Sequence, residues 1–99
     1  MDTIKEMRKA LRKCITDWKH DDCHPPNHIR EDGMGKEVAR VDVWCGGFQD
    51  CHNPVTVGWR AQHGNRVDHG IVLTADYADK EAAITEAKRL ADAALEKLR

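Results

Sequence analysis

Apolar residues at the start of the chain recur with a helical period. Ile4, Met7, Leu11, Cys14, Ile15 and Trp18 recur at i, i+3, i+7, i+10, i+11 and i+14 and form one stripe of a 3.6-residue repeat. Thr3, followed three positions later by Glu6, fits a capping box, and the lysines and arginines fall mainly on the opposite face. This spacing predicts a helix over 1–19. Cys14 reads as a small core residue, because free cysteine packs as a hydrophobe. Residues 20–36 then read as a long loop. Pro25-Pro26 forbids helix, and Asp32-Gly33 and Gly35 favour turns.

From Glu37 the period changes from helical to two. In EVARVDVWC, Ala39, Val41, Val43 and Cys45 face one way and Val38, Arg40, Asp42 and Trp44 the other. VTVGWRAQ places Val55, Val57, Trp59 and Ala61 together. His63-Gly64-Asn65-Arg66 reads as a hairpin turn. A third strand, about Val67 to Ala75, carries His69, Ile71, Leu73 and Ala75 on one side. The meander thus covers 37–75. Asp79 is the expected N-cap of a closing helix over 79–98, whose stripe is Ala83, Ile84, Ala87, Leu90, Ala91, Ala94, Leu95 and Leu98. Its alanines raise helix propensity and allow close approach to a sheet.

The expected fold is α+β in the order α-β-β-β-α, a three-stranded antiparallel sheet packed on one face by two helices. The other sheet face is expected to carry Arg40, Trp44, Thr56, Arg60 and Val72.

At 99 residues the chain has room for one small domain with one core. Apolar residues at 40% and charged residues at 33% suit a folded rather than a disordered chain. The net charge of −1 hides an asymmetry. Residues 1–20 carry six basic against three acidic groups, and residues 21–32 one basic against four acidic. A dedicated nucleic-acid binder is usually more basic than this. No apolar run reaches membrane-spanning length and no signal-peptide core follows Met1, so no membrane partner is expected and the cytoplasm is the expected compartment. Four cysteines there read as free thiols or metal ligands rather than disulfides.

Two cysteine–histidine clusters carry the candidate chemistry, DDCHPPNH and CGGFQDCH. Zinc takes four nitrogen or sulfur ligands in a tetrahedron. Cys23, His28, Cys45 and Cys51 are the zinc candidates, with His24 and His52 beside them. The spacing argues against it: five residues separate Cys45 from Cys51, where a zinc knuckle has two between its cysteines. A Cys45–Cys51 disulfide across the hairpin is a second reading. The plainest is a hairpin loop, with Gly46-Gly47 in the turn and no cofactor.

Catalysis is not expected. A nucleophile pair of Cys51 with His63 or His69 is demanded by no spacing, and there is no phosphate-binding glycine loop, serine elbow or paired-carboxylate helix.

The order α-β-β-β-α resembles double-stranded-RNA-binding domains, and TEAKRLADAALEKL is similar to the last helix of that family. The resemblance implies phosphate contact through Lys88 alone, because Ile84 and Thr85 stand where that family places lysines. In size and style the chain also resembles small phage proteins of the anti-CRISPR kind. That likeness implies a non-catalytic inhibitor that occupies a surface of a host defence complex.

Three functions follow as expectations. The first is a binding protein whose contacts are Trp44, Arg40 and Arg60 on the sheet and Arg8 and Arg12 on the first helix. Tryptophan and arginine are the commonest interface anchors. The second is a DNA- or RNA-binding domain using the same basic helix face or sheet face. The third is a small zinc-stabilised interaction module. Homodimerisation through the sheet is open, since a three-stranded sheet has free edges.

Overall fold

The computed structural model describes residues 2–21, 27–43 and 54–99. Its elements are α1 (Asp2–Lys13), β1 (Lys19–Asp21), β2 (Asn27–Glu31), β3 (Glu37–Val43), β4 (Thr56–His63), β5 (Arg66–Leu73), a 3-10 turn (Thr74–Asp76) and α2 (Lys80–Leu98). The class is α+β as expected, but the sheet has five strands, not three. They are antiparallel throughout and lie in chain order, β1-β2-β3-β4-β5.

The two extra strands come from the segment expected to be a loop. Prolines interrupt its middle, yet the residues on either side pair: Lys19 with Ile29, His20 with His28 and Asp21 with Asn27. β2 then joins β3 around an ordered turn. Asp32 is buried, and its Oδ1 accepts from the backbone N–H of Met34 (2.8 Å) and of Lys36 (3.0 Å). Gly35 takes φ +82°, a value that glycine adopts without strain. Short side chains that bond their own backbone organise such turns.

Among the described residues, α2 is the helix that packs on the sheet, against β3, β4 and β5. This corrects the expectation of two helices on one face. α1 ends at Lys13, and the expected stripe breaks there. Ile15 and Thr16, both β-branched, run extended beside β2. Ile15 bridges Asp32, and the Thr16 N–H donates to the Glu31 carbonyl at 2.9 Å. Ile15 and Trp18 therefore reach the core from a strand-like segment, not a helix. Cys14, expected inside, is exposed. From Thr3 to Ala10 every side chain of α1 is exposed, Ile4 and Met7 to 59% and 60%.

The core lies between α2 and one sheet face. Val41, Val43, Val57, Val72, Ala83, Ile84 and Ala87 form one cluster, and Val38, Ala61, Ala94 and Leu95 another. Val38 was expected on the outer face with Arg40. It is buried because the β2–β3 pairing shifts: Arg30 pairs with Ala39 and Glu31 with Glu37, leaving Val38 as the extra residue of a bulge.

β5 corrects the expectation in the opposite sense. Its register sets Val72 against Val57, so Val72 is buried, while Ile71 and Leu73 face outward. The inward set of this strand is otherwise polar or small, and Trp59 fills the space. Its indole lies across Gly70, where a Cβ would come within 2.6–2.7 Å of Nε1, Cε2 and Cζ2. A large aromatic side chain covering a strand glycine is a known way to complete a sheet face.

The hairpin His63–Arg66 is as expected. Gly64 has φ +61° at the first central position, and Asn65 does not have positive φ, the pattern of a II′ turn. Asp79 caps α2, its carboxylate accepting from the Ala82 N–H at 2.8 Å. Asp79→Ala is expected to cost about 1 kcal/mol, which thermal unfolding reads as a midpoint lower by about 4–8 °C.

Candidate functional site

Three surfaces hold chemistry worth building from the residues upward. The first is the outer face of the sheet, on which no other element packs among the described residues. One row of cross-strand neighbours runs Lys19, Ile29, Arg40, Arg60, His69. A second sets Asp42, Gly58 and Ile71 side by side. Ile71 is 69% exposed, Val67 49% and Leu73 44%. These three apolar side chains share one face of β5 with His69, the residue that ends the first row.

Arg40 and Arg60 are brought together, as expected, but they differ in character. Arg40 donates from Nε to Asp42 at 2.7 Å and from Nη1 to Glu37 at 2.9 Å. Those hydrogen bonds, the Asp42 bond first, raise its pKa further above the ordinary arginine value. Its charge is matched within its own strand. Arg60 is exposed, and its Nη2 donates to the Gln62 side-chain carbonyl at 3.0 Å. Gln62 Nε2 in turn donates to the Glu37 backbone carbonyl at 2.6 Å, which braces β4 against β3.

The second surface is α1. Arg8 is exposed there beside Ile4 and Met7. Arg12 belongs to the same helix, but its side chain lies outside the described ones. Trp44, Cys23, Cys45 and Cys51 also lie outside the described residues, and with them the zinc and disulfide readings that used them. Among the described residues, no group of three or more histidine, cysteine, aspartate or glutamate side chains is placed to hold a metal ion.

The third surface is where the helix-covered face meets the edge strand. Trp18 Nε1 donates to Asp92 Oδ2 at 3.2 Å, and Arg30 Nη1 meets Asp92 Oδ1 at 2.6 Å. The Arg30 guanidinium and the Lys88 ammonium lie 5.9 and 5.8 Å from the Trp18 ring centroid, within cation–π reach. Arg30 Nε also donates to the Thr16 carbonyl at 2.7 Å. Asp92 therefore ties α2 to β2 and to the segment after α1. Lys88, the residue carried over from RNA-binding domains, is half-buried in this cluster rather than projecting toward a ligand.

One turn of α2 before Lys88, the His20 and His28 rings meet across β1 and β2 with centroids 4.7 Å apart, tilted by 51°. Burial, and after it the charges of Lys88 and His20, hold the His28 pKa below the ordinary 6.5, against a smaller opposing pull from Glu81. His28 had been singled out in the sequence, but His20 had not. Their pairing shows only once the loop is seen to be a hairpin: eight residues apart in sequence, they are directly opposed in register.

Two surface clefts remain. The larger, about 610 Å³, lies among Pro54, Val55, Thr74, Tyr77 and the start of α2. The other, about 420 Å³, lies beside Asp32, Lys36, Val38 and the His63-Gly64 turn. No helix among the described residues is long and apolar enough to cross a membrane. No family model, curated protein or solved structure matches the chain.

Proposed function

We propose that this chain is a non-catalytic binding protein that acts by occupying a surface of a protein partner through the outer face of its sheet. One observation carries the reading: Val67, Ile71 and Leu73 stand exposed on the outer face of β5, on either side of His69, where the Lys19–Ile29–Arg40–Arg60–His69 row ends. Apolar side chains set on a rigid antiparallel sheet lose little freedom on docking, and a flanking arginine supplies directional polar contact. The complementary partner surface is apolar with an acidic fringe facing Arg60. In the form of an anti-CRISPR-like inhibitor, this face would occlude a working surface of a host defence complex.

A nucleic-acid-binding role for the same face is the second reading, and the row of basic groups motivates it. Arg40 weighs against it, because Asp42 and Glu37 already neutralise the residue at the centre of that row. A phosphate would have to displace two carboxylates there.

Ile71→Glu separates these readings. The side chain is exposed, so the circular dichroism spectrum and unfolding midpoint are expected to stay unchanged. Affinity for a partner isolated on the wild-type chain should fall by about tenfold or more. Equal affinity of the two chains would defeat the proposal. Duplex DNA or RNA binding that falls steeply with salt, by fluorescence anisotropy, would favour the second reading instead.

A further inference from the structure

The histidine pair at the edge of the sheet lies on the opposite face from the proposed binding surface and is independent of it. β1 is the outermost strand, so His20 sits at a sheet edge and its ring is exposed. His28 faces it from β2 and is half-buried, with Lys88 and Glu81 of α2 near enough for their charges to act on it. Direct cross-strand partners have Cβ atoms about 4.5–5.5 Å apart. Two imidazoles mounted at that spacing can turn their nitrogens toward a common point.

The ring geometry fits a shared ion. Zinc–nitrogen bonds are about 2.0–2.1 Å long, and an imidazole centroid lies about 1.2 Å beyond its ligating atom. Two rings on one tetrahedral ion then have centroids about 5.2 Å apart, and two rings at a right angle, as on a tetragonal ion, about 4.6 Å. The observed 4.7 Å falls within that interval, and the tilt of 51° keeps the rings from stacking face to face. Both rings enter this geometry without a change of strand register.

We propose that His20 and His28 form a two-histidine site for a divalent transition metal of the zinc, nickel or copper class, with solvent completing the coordination. Imidazole nitrogen is a good donor for these ions and a poor one for calcium or magnesium. Besides His20 itself, the charged groups acting on His28 are Lys88, which opposes a cation, and Glu81, which favours one. The site is therefore weaker than an acid-lined one, and it can be tuned through Lys88.

Nickel and zinc titrations of the full chain, by calorimetry, test the assignment. One equivalent is expected to bind, at least about tenfold more weakly in His20→Gln and likewise in His28→Gln. Lys88→Gln, which removes the opposing charge, is expected to bind severalfold more tightly. In substoichiometric paramagnetic nickel, the imidazole proton resonances of His20 and His28 should broaden before those of the other histidines. His20 is exposed, so His20→Gln keeps the test valid even if His28→Gln perturbs folding. Absence of binding, binding that survives His20→Gln, or broadening that begins at other histidines would each overturn the proposal.

Discussion

Alanine in place of Leu95 is expected to remove about 3–5 kcal/mol of stability. Leu95 is 1% exposed and is the largest fully buried side chain among the described residues. Its buried neighbours are too small or too fixed to fill the space it would leave, and the larger Ile15, Trp59 and Leu98 pack at the margin of the cluster. Ala61 and Ala94 have no side-chain reach, and Val38 is fixed at the bulge of β3. Large-to-small substitutions cost most where a cavity persists, up to about 5 kcal/mol for leucine. Domains of this size have about 5–15 kcal/mol in total, so the variant should sit near the edge of folding. Urea titration should show a lower midpoint with the slope unchanged. A loss below about 1 kcal/mol would mean that the C-terminal end of α2 is not docked on β3 and β4 as described.

Gly70→Val is expected to destabilise by about 1–3 kcal/mol through overpacking. Its diagnostic feature is dependence on Trp59. Glycine within a strand is ordinarily a weakness, and a branched residue usually improves it. Here the Cβ would enter the space of the indole, which packs against both core clusters and cannot swing away freely. In a Trp59→Leu background that obstacle is gone, so the same Gly70→Val change should become neutral or favourable. A double-mutant cycle of the four chains by chemical denaturation measures the coupling. Additive effects would show that the indole does not occupy the space over Gly70.

These two sites also mark what the sequence reveals and what it hides. The stripe of α2 and its Asp79 cap were legible, because a 3.6-residue period and a short acceptor at the N-cap are local signals. The strands β3 and β4 and the Gly64 turn were legible for the same reason. The inward face of β5 was not. Taken alone, RVDHGIVL alternates in favour of burying Val67, Ile71 and Leu73, and only the pairing with Trp59 across Gly70 reverses it. A residue on another strand supplied the missing volume, and no window of β5 contains it. β1 and β2 were hidden by Pro25-Pro26, which breaks helices but does not prevent a hairpin on either side. The helical reading of Ile15 and Trp18 failed because their spacing suits a helix, while the Thr16 and Arg30 hydrogen bonds favour an extended path. Of the candidate site, Arg40, Arg60 and His28 were found. His20 and the apolar line on β5 were not, since each depends on a register that only the folded sheet defines.

The chain-order sheet also constrains how this protein reaches its native state. Each strand pairs with its immediate successor, so β4 and β5 can close through a two-residue turn before any distant segment arrives. β3 and β2 then add one at a time, and each addition restricts only the short stretch between neighbours. Assembly of the sheet is a sequence of nearby closures, the regime in which folding is fast. The distant step is the anchoring of Asp92 on Trp18 and Arg30, 74 and 62 residues away along the chain. That contact bridges the last element and the first strands, so it fastens a sheet already built rather than directing its construction.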